Sequence, residues 1–287
     1  MSHLITRPLR RALFLREEPG LAPPEVVEHA GTSVYFLLAR PDGASASTFR
    51  RRFLSEIANR VDQFRHALGA REANLYHNVS ARGLEVLPMT LTRTHLATRL
   101  ISGLHAQQSP PAFDLHLIPK FDALIEFHFD TALDDGSRAA LAEFASTLAT
   151  VTGTVESFEC DRRYTVVEST SHSNTKVFLS VVTRTPWNRS LADAQDYWIN
   201  EHAPLVVDNF GHLNATGYEQ VHTTQQREST FDNGYAGIAF IEFPALGAYL
   251  AQLARLDTKR FNNTLVLDEL NLTVNSHINL LRRHTLS

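Results

Sequence analysis

Apolar residues in this chain fall into short runs that alternate with helical stretches. Residues 34–39 (Val-Tyr-Phe-Leu-Leu-Ala) form an apolar run closed by Pro41-Asp42-Gly43, which predicts a strand and a turn. In 45–67 and just beyond, Phe49, Phe53, Ile57, Val61, Phe64 and Leu68 recur at steps of four or three, the stripe of an amphipathic helix. Residues 72–79 read as a strand, 121–129 as a third strand, and 137–148 as a helix with Leu141, Phe144, Ala145 and Leu148 on one face; 163–168 closes as a fourth strand. An interruption at 84–118, rich in Thr, His, Leu and Pro, carries a helical piece near 94–105 and reads either as a lid over a pocket or as a segment packed along the barrel. Residues 1–30, punctuated by Pro19, Pro23 and Pro24, predict a surface arm.

The same β-α-β-β-α-β order then recurs. Residues 177–183 predict a strand, 190–210 a helix capped by Ser190 with Asp193 three residues on, and 216–223 a strand. Asp232-Asn233-Gly234 is a hairpin turn signal before a strand at 235–243. Pro244 opens a helix running to about Leu256, 257–275 reads as a loop, and 277–283 is the last strand. Val34-Tyr35-Phe36-Leu37 stands opposite Val177-Phe178-Leu179-Ser180 at an offset of about 143, and Arg60 to Phe64 opposite Val206 to Phe210 at about 146. A slightly longer strand-to-helix loop in the second copy reconciles the two. The expected domains are a first ferredoxin-like repeat at 31–168, a serine-rich linker at 169–175 and a second repeat at 176–287.

A single β-α-β-β-α-β sheet covers one face with helices and leaves the other bare. Strands such as 123–129 and 237–243 are apolar at nearly every position, where a solvated face would alternate with polar residues. Two repeats in one chain supply the missing cover, face to face or closed as a barrel. The expected fold is therefore α+β, two ferredoxin-like repeats forming an intrachain α/β barrel.

Composition narrows the function. The chain has 287 residues, 43% hydrophobic and 20% charged, with a net charge of −4. That balance gives no nucleic-acid footprint, and the basic group Arg7, Arg10, Arg11 and Arg16 is followed at once by Glu17 and Glu18. Cys160 is the single cysteine, so neither an intrachain disulfide nor a multi-cysteine metal site is available, which fits a reducing compartment. No apolar run approaches the roughly 18 residues of a membrane span, and no signal-peptide core is visible; the cytoplasm is the default location. Despite 14 histidines, no metal-ligand spacing, phosphate loop or nucleophile elbow stands out.

The most specific stretch is Tyr197-Trp198-Ile199-Asn200-Glu201-His202-Ala203-Pro204-Leu205. With Arg184 ending the preceding strand, it resembles the EthD-like branch of the dimeric α/β barrel superfamily over about 176–285. The resemblance implies that fold, a pocket between each sheet and its helices, and small hydrophobic substrates. Relatives of this fold include cofactor-free monooxygenases, isomerases, cyclases, decarboxylases, dehydratases and haem enzymes. On the offset above, the first copy departs from the pattern: His202 faces Glu56, Pro204 faces Ala58 and Trp198 faces Arg52. Glu56 reads as an exposed helical carboxylate, with an independent carboxylate site as the alternative.

His202 is the candidate acid or base, since Pro204 should break the helix there and turn the imidazole toward a cavity; a structural histidine is the competing reading. Arg184 is the candidate for steadying charge on oxygen, against a plain surface arginine. Tyr197, Trp198, Asn200, Tyr218 and His222 are candidate substrate contacts, Trp198 sharing a helix face with His202 and Tyr218 sharing a strand face with His222. His116 lies near the third strand and His128 on it, where His128 is a remote candidate ligand for haem or metal. The expectation is an enzyme with no cofactor and no metal, a lyase or cyclase acting on a small apolar carbonyl or aromatic compound. A monooxygenase or haem enzyme of the same fold is one alternative, and a non-catalytic metabolite-binding module is another. Whether the barrel also pairs as a homodimer is left open.

Overall fold

The strands at 123–129 and 235–243 are buried at every position, and the sheet that the strands form closes on itself. The computed structural model describes residues 24–79, 121–185, 190–224, 234–255, 265, 268 and 275–286. The interruption at 84–118, His116, the N-terminal basic group and most of the 257–275 segment lie outside them. The strands are β1 (Val27–His29), β2 (Thr32–Ala39), β3 (Glu72–Asn78), β4 (Ala123–Phe129), β5 (Thr154–Val167), β6 (Val177–Arg184), β7 (Gly217–Thr223), β8 (Tyr235–Phe243) and β9 (Asn275–Leu286). The helices are α1 (Ala46–Arg52), α2 (Ala58–Leu68), α3 (Asp135–Ala149), α4 (Leu191–Tyr197), α5 (Ala203–Asp208) and α6 (Leu246–Leu253).

All pairings are antiparallel, in the order β5-β2-β4-β3-β9-β6-β8-β7, and β7 pairs back onto β5 to shut the ring. The result is an eight-stranded α+β barrel with helices outside. Two seams join the halves, β3 on β9 and β5 on β7. Among the described residues no helix is long and apolar enough to cross a membrane.

The barrel interior is packed with Tyr35, Tyr76, Phe158, Phe178, Tyr235 and Phe240. Tyr76 stacks on Phe240 at 5.2 Å between centroids and Tyr35 on Phe158 at 5.3 Å. One carboxylate, Glu126, is fully buried there. It accepts from the Tyr35 hydroxyl at 2.8 Å, the Tyr76 hydroxyl at 3.0 Å and Asn74 Nδ2 at 3.0 Å, and it pairs with Arg163. A buried charge needs this density of donors to offset its lost hydration.

Three boundaries differ from the sequence reading. β5 begins at Thr154, well before the strand read at 163–168, because Ser157 and Glu159 interrupt its apolar pattern; Glu159 is buried only because Arg138 of α3 meets it at 3.1 Å. β1, on the edge of β5, is a short exposed strand with no pattern of its own. α6 starts at Leu246, past Pro244.

The helix after each first strand is interrupted in the same way. A π turn at Phe53–Ile57 separates α1 from α2, and another at Trp198–His202 separates α4 from α5. The N–H of Ala58 bonds to Phe53 O, and that of Ala203 to Trp198 O, five residues back in each case. The cause lies in the buried stripes Phe49-Phe53-Ile57-Val61 and Ala194-Trp198-His202-Val206. Steps of four drift by about 40° each on a 3.6-residue helix, and one wider turn restores them to a common face. Proline is not required, because Asn59 occupies in the first half the place that Pro204 holds in the second.

The turns also correct the match between halves. Ser45 and Ser190, the two N-caps, Phe53 and Trp198, and the starts of β3 and β7 at Glu72 and Gly217 all stand at one common interval. No loop is lengthened, and the residue opposite His202 is Ile57, not Glu56. The sequence match paired Arg60 with Val206 on letters; by burial Val61 is the counterpart, both valines lying in their cores.

Candidate functional site

The two helix layers bury different things. Under α1, α2 and α3, Phe64 stacks on Phe144 at 4.4 Å and Phe36 meets both Phe127 and Phe144 edge-on, so aromatic rings fill the layer. Under α4, α5 and α6 a cavity of about 70 Å³ remains. At roughly 15 Å³ of such space per water it admits about five waters or one small ring. Its floor is Leu179, Val181 and Thr183 of β6 with Ala239, Ile241 and Phe243 of β8; its roof is Trp198, His202 and Val206, and α6 closes it with Tyr249, Gln252 and Leu253. The lining is mostly apolar, the usual character of a small-molecule pocket.

His202 reaches this pocket because it ends the π turn, on the buried stripe. Its side chain is 8% exposed, and Nδ1 lies 2.9 Å from Oδ2 of Asp268, itself 9% exposed. The other Asp268 oxygen accepts from the Tyr197 hydroxyl at 2.7 Å. An ionised carboxylate only accepts, so Nδ1 of His202 is the donor in this contact, and in the neutral ring Nε2 keeps its lone pair. Among the described residues Nε2 has no hydrogen-bond partner.

Behind Trp198 lies a second polar set. The Trp198 ring stacks on His222 at 5.1 Å. Gln220 Nε2 donates to the Tyr218 hydroxyl at 2.6 Å and to Trp198 O at 3.4 Å, which leaves Gln220 Oε1 to accept from His222 Nε2 at 3.0 Å. Burial, with Arg162 beside it, pushes His222 down to about 3. This imidazole is neutral in ordinary buffers and is not an acid or base near neutral pH.

The sequence candidates therefore divide. His202, Trp198 and Tyr218 line the pocket, and Tyr197 holds Asp268 from the side. His222 supports Trp198 without being among the lining residues. Asn200 bonds across the helix surface to Asp196 at 2.8 Å and points away. Arg184 belongs to the barrel interior, since it alternates on β6 with Phe178 and Val182, which face inward: it meets Glu156 at 3.3 Å and lies over the Tyr235 ring, 4.9 Å from its centroid. It is thus on the other side of the sheet from His202. His128 bonds through Nδ1 to Ser33 Oγ at 3.2 Å, and among the described residues no three His, Cys, Asp or Glu side chains form a metal-binding group.

Two partners were not legible as site residues. Asp268 lies in a stretch read as loop, although Leu265 and Asp268 sit at helical spacing and both are helical. Gln252, 3% exposed, presents at the pocket wall a buried Oε1 with no hydrogen-bond partner among the described residues. The alternation Tyr218-Gln220-His222 on one strand face was the available signal for Gln220.

No protein-family model matches this sequence, and a search of curated proteins returns no match. Among solved structures, a candidate monooxygenase from Fusobacterium nucleatum aligns over 89% of this chain and 93% of its own, at 11% identity and a TM-score of 0.42. A candidate DyP-type peroxidase from Shewanella oneidensis aligns over 91% and 95%, at 9% identity and a TM-score of 0.41. A dye-decolorizing peroxidase from Bacteroides thetaiotaomicron aligns over 91% and 95%, at 10% identity and a TM-score of 0.38. These are distant likenesses, and the chemistry below rests on none of them.

Proposed function

We propose that the second half of this chain is an acid–base enzyme without a redox cofactor, acting on a small, mostly apolar carbonyl or aromatic compound. The observation that carries the reading is the 2.9 Å contact between His202 Nδ1 and Asp268, made at the wall of an apolar pocket. Asp268 fixes the tautomer and stabilises the imidazolium that forms when Nε2 takes a proton, the division of labour of a histidine–carboxylate pair. Tyr218, Thr183 and Gln252 are the polar groups in reach of a bound molecule, and they take the role that Arg184 held in the sequence reading. Gln252 suits a hydroxyl or N–H on the ligand, since its Oε1 accepts. Dehydration, decarboxylation, aldol cyclisation and isomerisation need no more than a proton moved and an oxygen steadied. A lyase or cyclase is the best single class.

The His202-Ala203-Pro204 motif supports placing the second half near the EthD-like branch. The common interval between caps, π turns and strands supports descent of the two halves from one duplicated unit.

Exchange of the α-protons of small aromatic ketones for deuterium in D₂O, followed by NMR, tests the reading without the natural substrate. His202→Ala is expected to lower the exchange rate by about 10²–10⁴-fold, the usual range for a general acid–base group, with folding unchanged. Asp268→Asn should give a similar loss at unchanged ligand affinity. Equal rates in wild type and His202→Ala would remove His202 from the chemistry. A haem-type absorption band with matching extra mass in native mass spectrometry would sink the cofactor-free proposal.

A further inference from the structure

The seams between the halves carry matching pairs with opposite surroundings. Where β7 meets β5, His222 stands opposite Arg162; where β3 meets β9, His77 stands opposite Arg282. At the first seam amides hold the pair, although His222 Nδ1, like His77 Nδ1, is buried with no hydrogen-bond partner among the described residues. Arg162 donates to Gln195 Oε1, and Gln195 Nε2 in turn donates to Thr223 O at 2.7 Å and Ala236 O at 3.0 Å, while His222 is held by Gln220. At the second seam both amides are gone. The counterpart of Gln195, at the common interval, is Arg50 of α1; that of Gln220 is Leu75. An acceptor has been exchanged for a cation.

The consequence is an uncompensated cluster. The ring of His77 stacks on that of His284 at 5.2 Å, and His284 lies two residues beyond Arg282 on the same face of β9. His77 is 5% exposed, yet among the described residues its buried Nδ1 has no hydrogen-bond partner, and neither has Nε of Arg282. Burial first, then His284, Arg50 and Arg282, push His77 down to about 4. Arg50 and His284 are exposed and Arg282 is half-buried, so the cluster opens to solvent on one side. Buried polar groups without partners cost about 1–3 kcal/mol each, and a sequence that keeps two such groups together, with an arginine in place of an amide, leaves a place for an acceptor from outside.

We propose that the β3–β9 seam binds a small oxyanion, a phosphate or carboxylate group, between Arg50 and Arg282 and against the edge of His77. Arginine suits this role because its planar fork matches two oxygens of either group. The site is separate from the pocket at His202 and does not depend on the reaction proposed there.

Isothermal titration with inorganic phosphate, and separately with malonate, against a sodium chloride control of equal ionic strength, tests this. The expected result is saturable binding of one or both oxyanions, accompanied by a shift of the His77 ring signals in NMR. The tighter of the two names the group the site prefers. Arg50→Gln, at an exposed helical position that should not disturb folding, should weaken binding by about tenfold, the effect of losing one charge-assisted bond of roughly 1.4 kcal/mol. Arg282→Gln should weaken it at least as much, and His202→Ala should leave it intact. Absence of saturable binding by either oxyanion, or binding that Arg50→Gln leaves unchanged, would overturn the proposal.

Discussion

The two helix layers of this barrel share a backbone plan and differ in what fills it. Both begin at a capping serine, both widen into a π turn on a buried stripe, and both lie on four antiparallel strands in the same order. In the first layer the turn presents Phe53 and Ile57 to a core in which Phe36, Phe64, Phe127 and Phe144 pack ring against ring. In the second it presents Trp198 and His202, and a cavity remains. The π turn is therefore a packing device before it is a functional one: it keeps residues spaced by four on one face, and chemistry follows only where the side chain is polar and Asp268 is at hand.

The largest test of that contrast is in the solid layer. Phe53 is fully buried and stacks on Phe49 at 6.3 Å between centroids. Phe53→Ala should cost about 3–5 kcal/mol, lost transfer energy plus an unfilled cavity, read as a lowered midpoint in urea unfolding. A cost below about 1 kcal/mol would mean that the first layer, too, has room to collapse or to hold a ligand.

A smaller effect separates the seams by pH. In the unfolded chain His222 and His77 protonate near pH 6.5, while in the folded protein burial holds them down to about 3 and about 4. Between those limits the unfolded state binds more protons, so stability falls as pH drops from about 6.5 and levels off only below the folded values. Each histidine contributes at most about 1.4 kcal/mol per pH unit. Urea midpoints taken from pH 7 to pH 4 should decline less steeply in His222→Gln than in wild type. Parallel declines would show that His222 is not held neutral behind Trp198. For His77 the same measurement with saturating phosphate should flatten the decline, because a bound oxyanion favours the protonated ring.

The fold was legible because its elements announce themselves locally. The runs at 34–39 and 177–183, the stripe from Phe49 to Val61, and the bare second face of each sheet are all properties of short windows or of their count. Arg184 alternates with Phe178 and Val182 into the barrel interior, while Leu179, Val181 and Thr183 face the pocket; the sequence does not say which face of a two-sided buried strand meets the helices. Asp268 was missed because its partner lies 66 residues away. Asp268 and Glu269 stand side by side between Leu267 and Leu270, and nothing in the letters says which acid meets a histidine so far back. His222 was read as a candidate for chemistry because histidine titrates near neutrality; only burial, which the sequence does not display at a single position, decides that it does not.

The smallest expected effect sharpens the match between the halves. If letters set the alignment, Glu56 is the counterpart of His202 and its removal should matter. If burial sets it, Ile57 is the counterpart, and Glu56 is an exposed residue paired with Arg52 at 2.7 Å one helical turn away, with side-chain exposures of 58% and 43%. Such pairs contribute about 0.3–0.5 kcal/mol in solution. Glu56→Ala should therefore move the urea midpoint by no more than that and leave ketone exchange at His202 untouched. A loss larger than about 1 kcal/mol, or a change in exchange rate, would return Glu56 to the comparison as a residue of consequence and would place the π turn of the first half in a different register from that of the second.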